Sequence, residues 1–160
     1  MNPSENAAPL HGRMVLTQQV LDAIRQTIGA RPAECGGVLG ADETGTITRY
    51  YFDETGTGTE NSYEPDVDAI NAVLVNDWLP GGIRMAGIVH SHANGNSIPS
   101  CGDIHYGMRI LQALDGTERF FLPIVTNADG RMELNACVLE KDEALGTVCR
   151  KLEWTITSMA

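Results

Sequence analysis

The chain has no unbroken apolar run of the length that a membrane span or a secretory signal needs, and its N-terminal MNPSENAAPLHGR has none either. A membrane role is therefore not expected, and the chain reads as cytoplasmic. It also lacks C-x-x-C spacing. Its cysteines, Cys35, Cys101, Cys137 and Cys149, are too sparse for a disulfide scaffold, so free thiols in a reducing compartment are the expectation. Basic residues are scarce, with 11 Lys and Arg against 21 Asp and Glu for a net charge of -10. Nucleic-acid binding depends on neutralising phosphates with Lys and Arg, so this balance argues against it and favours protein or peptide partners. There is no internal repeat and no low-complexity tract.

What is present suits one globular unit, since 160 residues can bury a core without disulfides. Residues 1–13 read as a loose tail and residues 14–160 as a single domain. Thr17 is positioned to cap a helix through QQVLDAIRQTIG, whose Val20, Leu21, Ile24 and Ile28 form an apolar stripe. ECGGVLGAD and TGTITRYYFDE read as a hairpin turning at Asp42 to Gly45, and TGTGTENSYEP as a surface loop. A second helix is expected in DVDAINAVLVNDWL, with Val67, Ile70, Val73, Leu74 and Trp78 mainly on one face. IRMAGIVHSH reads as a buried strand and DIHYGMRILQALDG as a third helix. RFFLPIVTN and RMELNACVLE read as two strands around the turn ADGR. ALGTVCRKLEWTITSMA fits helix or strand. Interleaved helices and strands point to an α/β or α+β fold with a mixed central sheet.

The chemistry concentrates in GIVHSHANGNSIPSCGD, residues 87–103. On a strand His90 and His92 share a face, about 6.5–7 Å apart along the backbone, so both imidazoles can converge on one ion. Catalytic zinc commonly takes three His or carboxylate ligands and keeps a fourth position open. Asp103, across a glycine- and proline-containing loop, is the nearest candidate carboxylate. Ser100 and Asp103 also match the S-x-x-[DE] capping box of a helix start. Capping accounts for those two residues and leaves the paired histidines unexplained.

This pattern, H-S-H followed after seven residues by Ser and after two more by Asp, resembles the JAMM signature of the JAB/MPN metalloproteases, particularly compact prokaryotic deubiquitinase-like members. RPAECGGVLG is similar to the family's upstream segment carrying a glutamate, here Glu34, and the likeness extends through ENSYEPD across roughly residues 14–140. The resemblance implies a cytidine-deaminase-like α+β architecture, although the H-x-E…P-C-x-x-C pattern of the zinc deaminases is absent. It implies Zn2+ on His90, His92 and Asp103, with Glu34 as general acid/base and Ser100 stabilising the oxyanion. Ser91 faces the other way, as a support residue. The implied substrate is the C-terminal tail of a ubiquitin-like or sulfur-carrier-like protein, with E1- or E2-like proteins as possible pathway partners. Ala93 stands where many relatives carry proline. Two other readings are a non-catalytic MPN-type interaction module and a RadC-like DNA-repair-associated protein; the retained motif residues weigh against the first and the acidic charge against the second.

Overall fold

The computed structural model describes residues 12–59, 62–114 and 116–157. Residues 1–11 of the expected tail lie outside the described residues, and Arg13 already opens a strand, β1 (Arg13–Leu16). Helix α1 (Gln18–Gln26) follows; the Thr17 hydroxyl accepts the Val20 N–H at 3.2 Å and caps it as expected. Its stripe of Val20, Leu21, Ile24 and, just beyond, Ile28 is buried. Strands β2 (Gly36–Ala41) and β3 (Ile47–Phe52) form the expected hairpin. The segment read as a plain loop carries a two-stranded ribbon, β4 (Thr57–Gly58) with β5 (Tyr63–Glu64).

Helix α2 (Val67–Val73) is capped by the Asp66 carboxylate and continues as a wider turn over Leu74–Trp78. Ile70 and Trp78 are buried, with Val73 and Leu74 packed against them; Val67, expected on the same face, is exposed. Strand β6 (Arg84–Ser91) is the buried strand of the sequence reading, and α3 (Cys101–Ala113) the third helix.

The segment RFFLPIVTN departs from expectation by splitting into β7 (Arg119–Phe121) and β8 (Ile124–Ala128). Pro123 has no N–H to give a ladder, and the sheet branches there. β7 runs beside Gly87 of β6, and β8 beside His90 and Ser91, both parallel to it. RMELNACVLE splits correspondingly at Ala136 into β9 (Arg131–Asn135), which pairs with β8, and β10 (Cys137–Asp142), which pairs with β7. The ambiguous C-terminal segment is β-structured: β11 (Gly146–Lys151) pairs antiparallel with β10, and β12 (Glu153–Ile156) pairs parallel with β1.

The result is a mixed sheet in the order β11-β10-β7-β6-β2-β3-β1-β12, with three helices packed on it, an α+β fold. Alternation along the central strands assigns the layers. Leu39 and Val89 join the core that contains α1, whereas Val38 packs with α2 and Ile88 with α3. His90 has the parity of Ile88 and so belongs to the face that carries α2 and α3. Phe120 is fully buried in the cluster beneath α3. Phe120→Ala should lower unfolding free energy by about 3–5 kcal/mol, through lost burial and the cavity left behind. Urea denaturation measures this, and a loss below about 1 kcal/mol would mean that the α3 layer does not rest on that ring.

Candidate metal centre

Strand β6 ends where the chemistry begins. It is held between β2 and β8, so its last residues have little freedom: the His90 N–H donates to the Pro123 carbonyl at 3.3 Å and the His92 N–H to the Val125 carbonyl at 3.0 Å. Both imidazoles point into one cavity of about 260 Å3, and Asp103 reaches it from the first turn of α3. The Nε2 atoms of His90 and His92 lie 3.0 Å apart, and the Asp103 Oδ2 lies 3.2 Å from the first and 3.1 Å from the second. Donors about 2.0–2.1 Å from a four-coordinate zinc stand roughly 3.3 Å apart, so this near-equilateral triangle matches one face of such a site. His90, His92 and Asp103 thus form a group suited to binding a metal ion.

The surroundings prepare each donor. The His92 Nδ1 lies 2.8 Å from the Asn96 carbonyl. A carbonyl only accepts, so Nδ1 carries the proton and Nε2 turns its lone pair towards the cavity in the neutral ring, the usual arrangement of a ligating histidine. The loop that supplies this carbonyl does without a proline at Ala93. Gly95 takes a left-handed φ of 80° and its N–H donates to the His92 carbonyl at 3.2 Å. The Asn94 side chain accepts the Asn96 N–H at 3.0 Å, and the Asn96 side chain accepts the Ile98 N–H at 3.1 Å. Side chain to backbone bonds of this kind stiffen a turn locally.

Ser100 and Asp103 form the capping box. The Ser100 hydroxyl accepts the Asp103 N–H at 3.1 Å, and the Asp103 Oδ2 accepts the Ser100 N–H at 2.8 Å. Capping and metal binding are therefore compatible in one side chain. Burial acts to raise the Asp103 carboxyl, but hydrogen bonding with His90 and His92, the charge of His90 and the Ser100 N–H hold it far below the ordinary carboxylate range. His92 is shifted the other way, raised chiefly by its hydrogen bond to Asp103 against the opposing effect of burial.

Glu34 enters from the segment before β2 and lines the same cavity, but it is not a member of the three-donor group. It is buried, at 6 % exposure, and its negative charge is felt at His92. Two contacts hold its backbone. Its N–H donates to the Thr59 carbonyl at 2.8 Å, and Gly58 lies so close that an added Cβ would overlap the Glu34 carbonyl oxygen. Next to it, the Ser91 Oγ accepts the Cys35 N–H at 3.1 Å, and the Ser91 N–H donates to the Cys35 carbonyl at 2.9 Å. Ser91 thus ties the glutamate segment to the histidine strand, the support role expected of it.

All five residues singled out in the sequence, Glu34, His90, His92, Ser100 and Asp103, line this one cavity. The cysteines beside them do not join the donors: Cys101 is exposed and Cys35 is half-buried. His105 is exposed on α3. Tyr63 also lines the cavity. Its ring stacks on His90 with centroids 6.4 Å apart, and its hydroxyl donates to the buried Asp53 at 2.6 Å. The ENSYEPD segment marked the region, but no spacing in it identifies the partner. The Asn96 contribution is a backbone carbonyl and leaves no trace in residue type.

A mixed sheet with two histidines at the end of its central strand, facing an aspartate in the first turn of α3, defines an α+β domain of the JAB type with a group suited to binding a metal ion. The chain belongs to the prokaryotic homologs of the JAB domain, whose family model matches residues 17–135. That family includes metalloproteases, and the donor group agrees with a metal-dependent hydrolase. Among curated proteins none matches the sequence. The fold is shared with the solution structure of protein DSY2949 from Desulfitobacterium hafniense, at 19% identity and a TM-score of 0.64, over 90% of this chain and 92% of that one. No helix among the described residues is long and apolar enough to cross a membrane.

Metal must displace any proton on the ligating nitrogens. Because His92 is raised in the metal-free site, apparent affinity should fall by at least about tenfold per pH unit once pH drops below its pKa. Competition against a chelating indicator between pH 7.5 and 5.5 measures this; a flat profile would remove His92 from the ligand set. Asp103→Asn should weaken binding in the same assay, with an added loss of stability from the damaged helix cap.

Proposed function

We propose that the protein is a zinc-dependent peptidase or isopeptidase that cleaves after the C-terminal glycine of a ubiquitin-like or sulfur-carrier-like protein. The observation that carries this reading is the division of labour in the cavity: three donors meet within 3.2 Å of one another, while a buried carboxylate, Glu34, faces the same space from outside the donor set. Two imidazole nitrogens and one carboxylate oxygen, with room for a further ligand, are the donor set of many catalytic zinc sites. Bound there, zinc would supply Lewis acidity and make water acidic enough to ionise near neutral pH.

The chain's own residues supply the remaining chemistry. Glu34 accepts the proton of the attacking water and passes it to the leaving amine. The Ser100 Oγ already accepts the Asp103 N–H and its own proton donates to no group among the described residues, so it is free to hydrogen-bond the carbonyl oxygen as negative charge develops there. Asp103 and the Asn96 carbonyl hold the imidazoles in place, so little reorganisation is left for the reacting state.

The substrate class follows from the family resemblance and agrees with the surface beside the site. A hollow of about 300 Å3 shares Tyr63, His90 and Asp103 with the metal cavity, and a further apolar hollow of about 390 Å3 adjoins it through Ile88 and Tyr106, between α2 and α3. Such a path accepts an extended tail near the metal and apolar contacts from the folded part of a partner further out. Binding energy gained there positions the scissile bond.

Two outcomes test the reading, with a ubiquitin-like protein carrying an extension beyond its terminal glycine as substrate. Glu34→Gln should retain about one zinc per chain by elemental analysis while hydrolysis falls by about 10²–10⁴-fold. Loss of zinc in proportion to activity would make Glu34 a ligand, and an inactive, zinc-loaded wild type would favour a non-catalytic interaction module. The free tail peptide should have a kcat/KM at least about tenfold below that of the same tail on its folded domain. Equal values would leave a small-peptide hydrolase.

A further inference from the structure

Away from the metal cavity, the β10–β11 hairpin brings two thiols together. Cys137 is buried at 5 % exposure, Cys149 is exposed, and their Sγ atoms lie 2.9 Å apart. In the ladder Cys137 faces Lys151 and Leu139 faces Cys149, so the two cysteines are diagonal neighbours on one face of the hairpin. A disulfide bond needs about 2.05 Å between its sulfur atoms, and these two already lie 2.9 Å apart. The approach does not depend on a slack turn. The Asp142 Oδ1 accepts the Ala144 and Leu145 N–H groups at 2.9 and 2.8 Å, and on the opposite face an Arg150 to Glu140 hydrogen bond of 2.7 Å holds the register.

We propose that Cys137 and Cys149 form an oxidisable dithiol site that reacts with low-molecular-weight disulfides to give an intramolecular disulfide. Cys149 is the accessible partner and reacts first. Its thiolate attacks one sulfur of a disulfide RSSR, forming Cys149–S–S–R and releasing RS⁻. The Cys137 sulfur then loses its proton to solvent and attacks the Cys149 sulfur, closing the Cys137–Cys149 bond and expelling the second RS⁻. Two protein thiols are oxidised, one RSSR is reduced, and the two thiol protons end on the two RSH products.

The order of events has a physical basis. Burial, together with the hydrogen bond and charge of Cys149, pushes the Cys137 thiol up to about 12. Once Cys149 is in a mixed disulfide its charge is gone, and burial remains as the opposing influence, so the second step becomes easier when the first is complete. The bond ties β11, an edge strand paired through β10, to the rest of the sheet. Neither cysteine lines the metal cavity, so the site is independent of the proposed hydrolase.

The test is incubation of the folded chain with oxidised glutathione, followed by alkylation and peptide mapping by mass spectrometry. The wild type should show a peptide cross-linked between Cys137 and Cys149, while exposed Cys101 keeps its glutathione adduct. Cys137→Ser should trap the adduct on Cys149. As a second variant, Cys149→Ser should leave Cys137 reduced while the chain is folded. A persistent glutathione adduct on wild-type Cys149, both thiols still free, or a glutathione adduct on Cys137 in folded Cys149→Ser would each overturn the proposal.

Discussion

A single carboxylate oxygen, the Oδ2 of Asp103, joins the two halves of this structure. It accepts the Ser100 N–H at the start of α3 and faces the Nε2 atoms of His90 and His92 at the end of β6, all within 3.2 Å. A helix N-terminus has unpaired N–H groups and a partial positive charge, so a carboxylate is stabilised there whether or not a metal is bound. The charge that a cation needs is therefore built into the fold, at a residue whose place is already fixed by capping. The two histidines beside it and the Ser100 N–H hold its carboxyl far below the ordinary carboxylate range despite its burial.

The opposite wall of the cavity depends on close backbone approach. Glu34 has a position because its segment is held by Ser91 on one side and by the β4–β5 ribbon on the other, with Gly58 against its carbonyl. Gly36 plays a related part, since an added Cβ there would collide with the Tyr63 ring that stacks on His90. Small residues at these points let backbone and aromatic ring close around the histidines. Glu34 thus lines the cavity as a buried carboxylate without joining the three donors.

Much of this was legible in residue order. Period-two alternation placed His90 and His92 on one face, and the loop residues with the S-x-x-D box brought Asp103 and Ser100 to them; the structure bears out each of these placements. Glu34 came from family resemblance, because it lies 56 residues before His90 and no local rule connects positions so distant. The strand breaks at Pro123 and Ala136 and the β-structure of the C-terminal segment depend on which strands lie alongside, which periodicity does not encode. Tyr63 with Asp53, and the Asn96 carbonyl, are tertiary partners for the same reason. The facing thiols of Cys137 and Cys149 were hidden too, because a separation of 12 residues becomes proximity through the register of the β10–β11 hairpin.

The central claim is that the metal is held by two imidazoles and one carboxylate, with neighbouring thiols left out. Zinc K-edge X-ray absorption on the zinc-loaded wild-type chain tests it directly. The account predicts a first shell of nitrogen and oxygen at about 2.0–2.1 Å, with the outer-shell scattering of two imidazole rings. A sulfur shell near about 2.3 Å, contributed by Cys35 or Cys101, would contradict it.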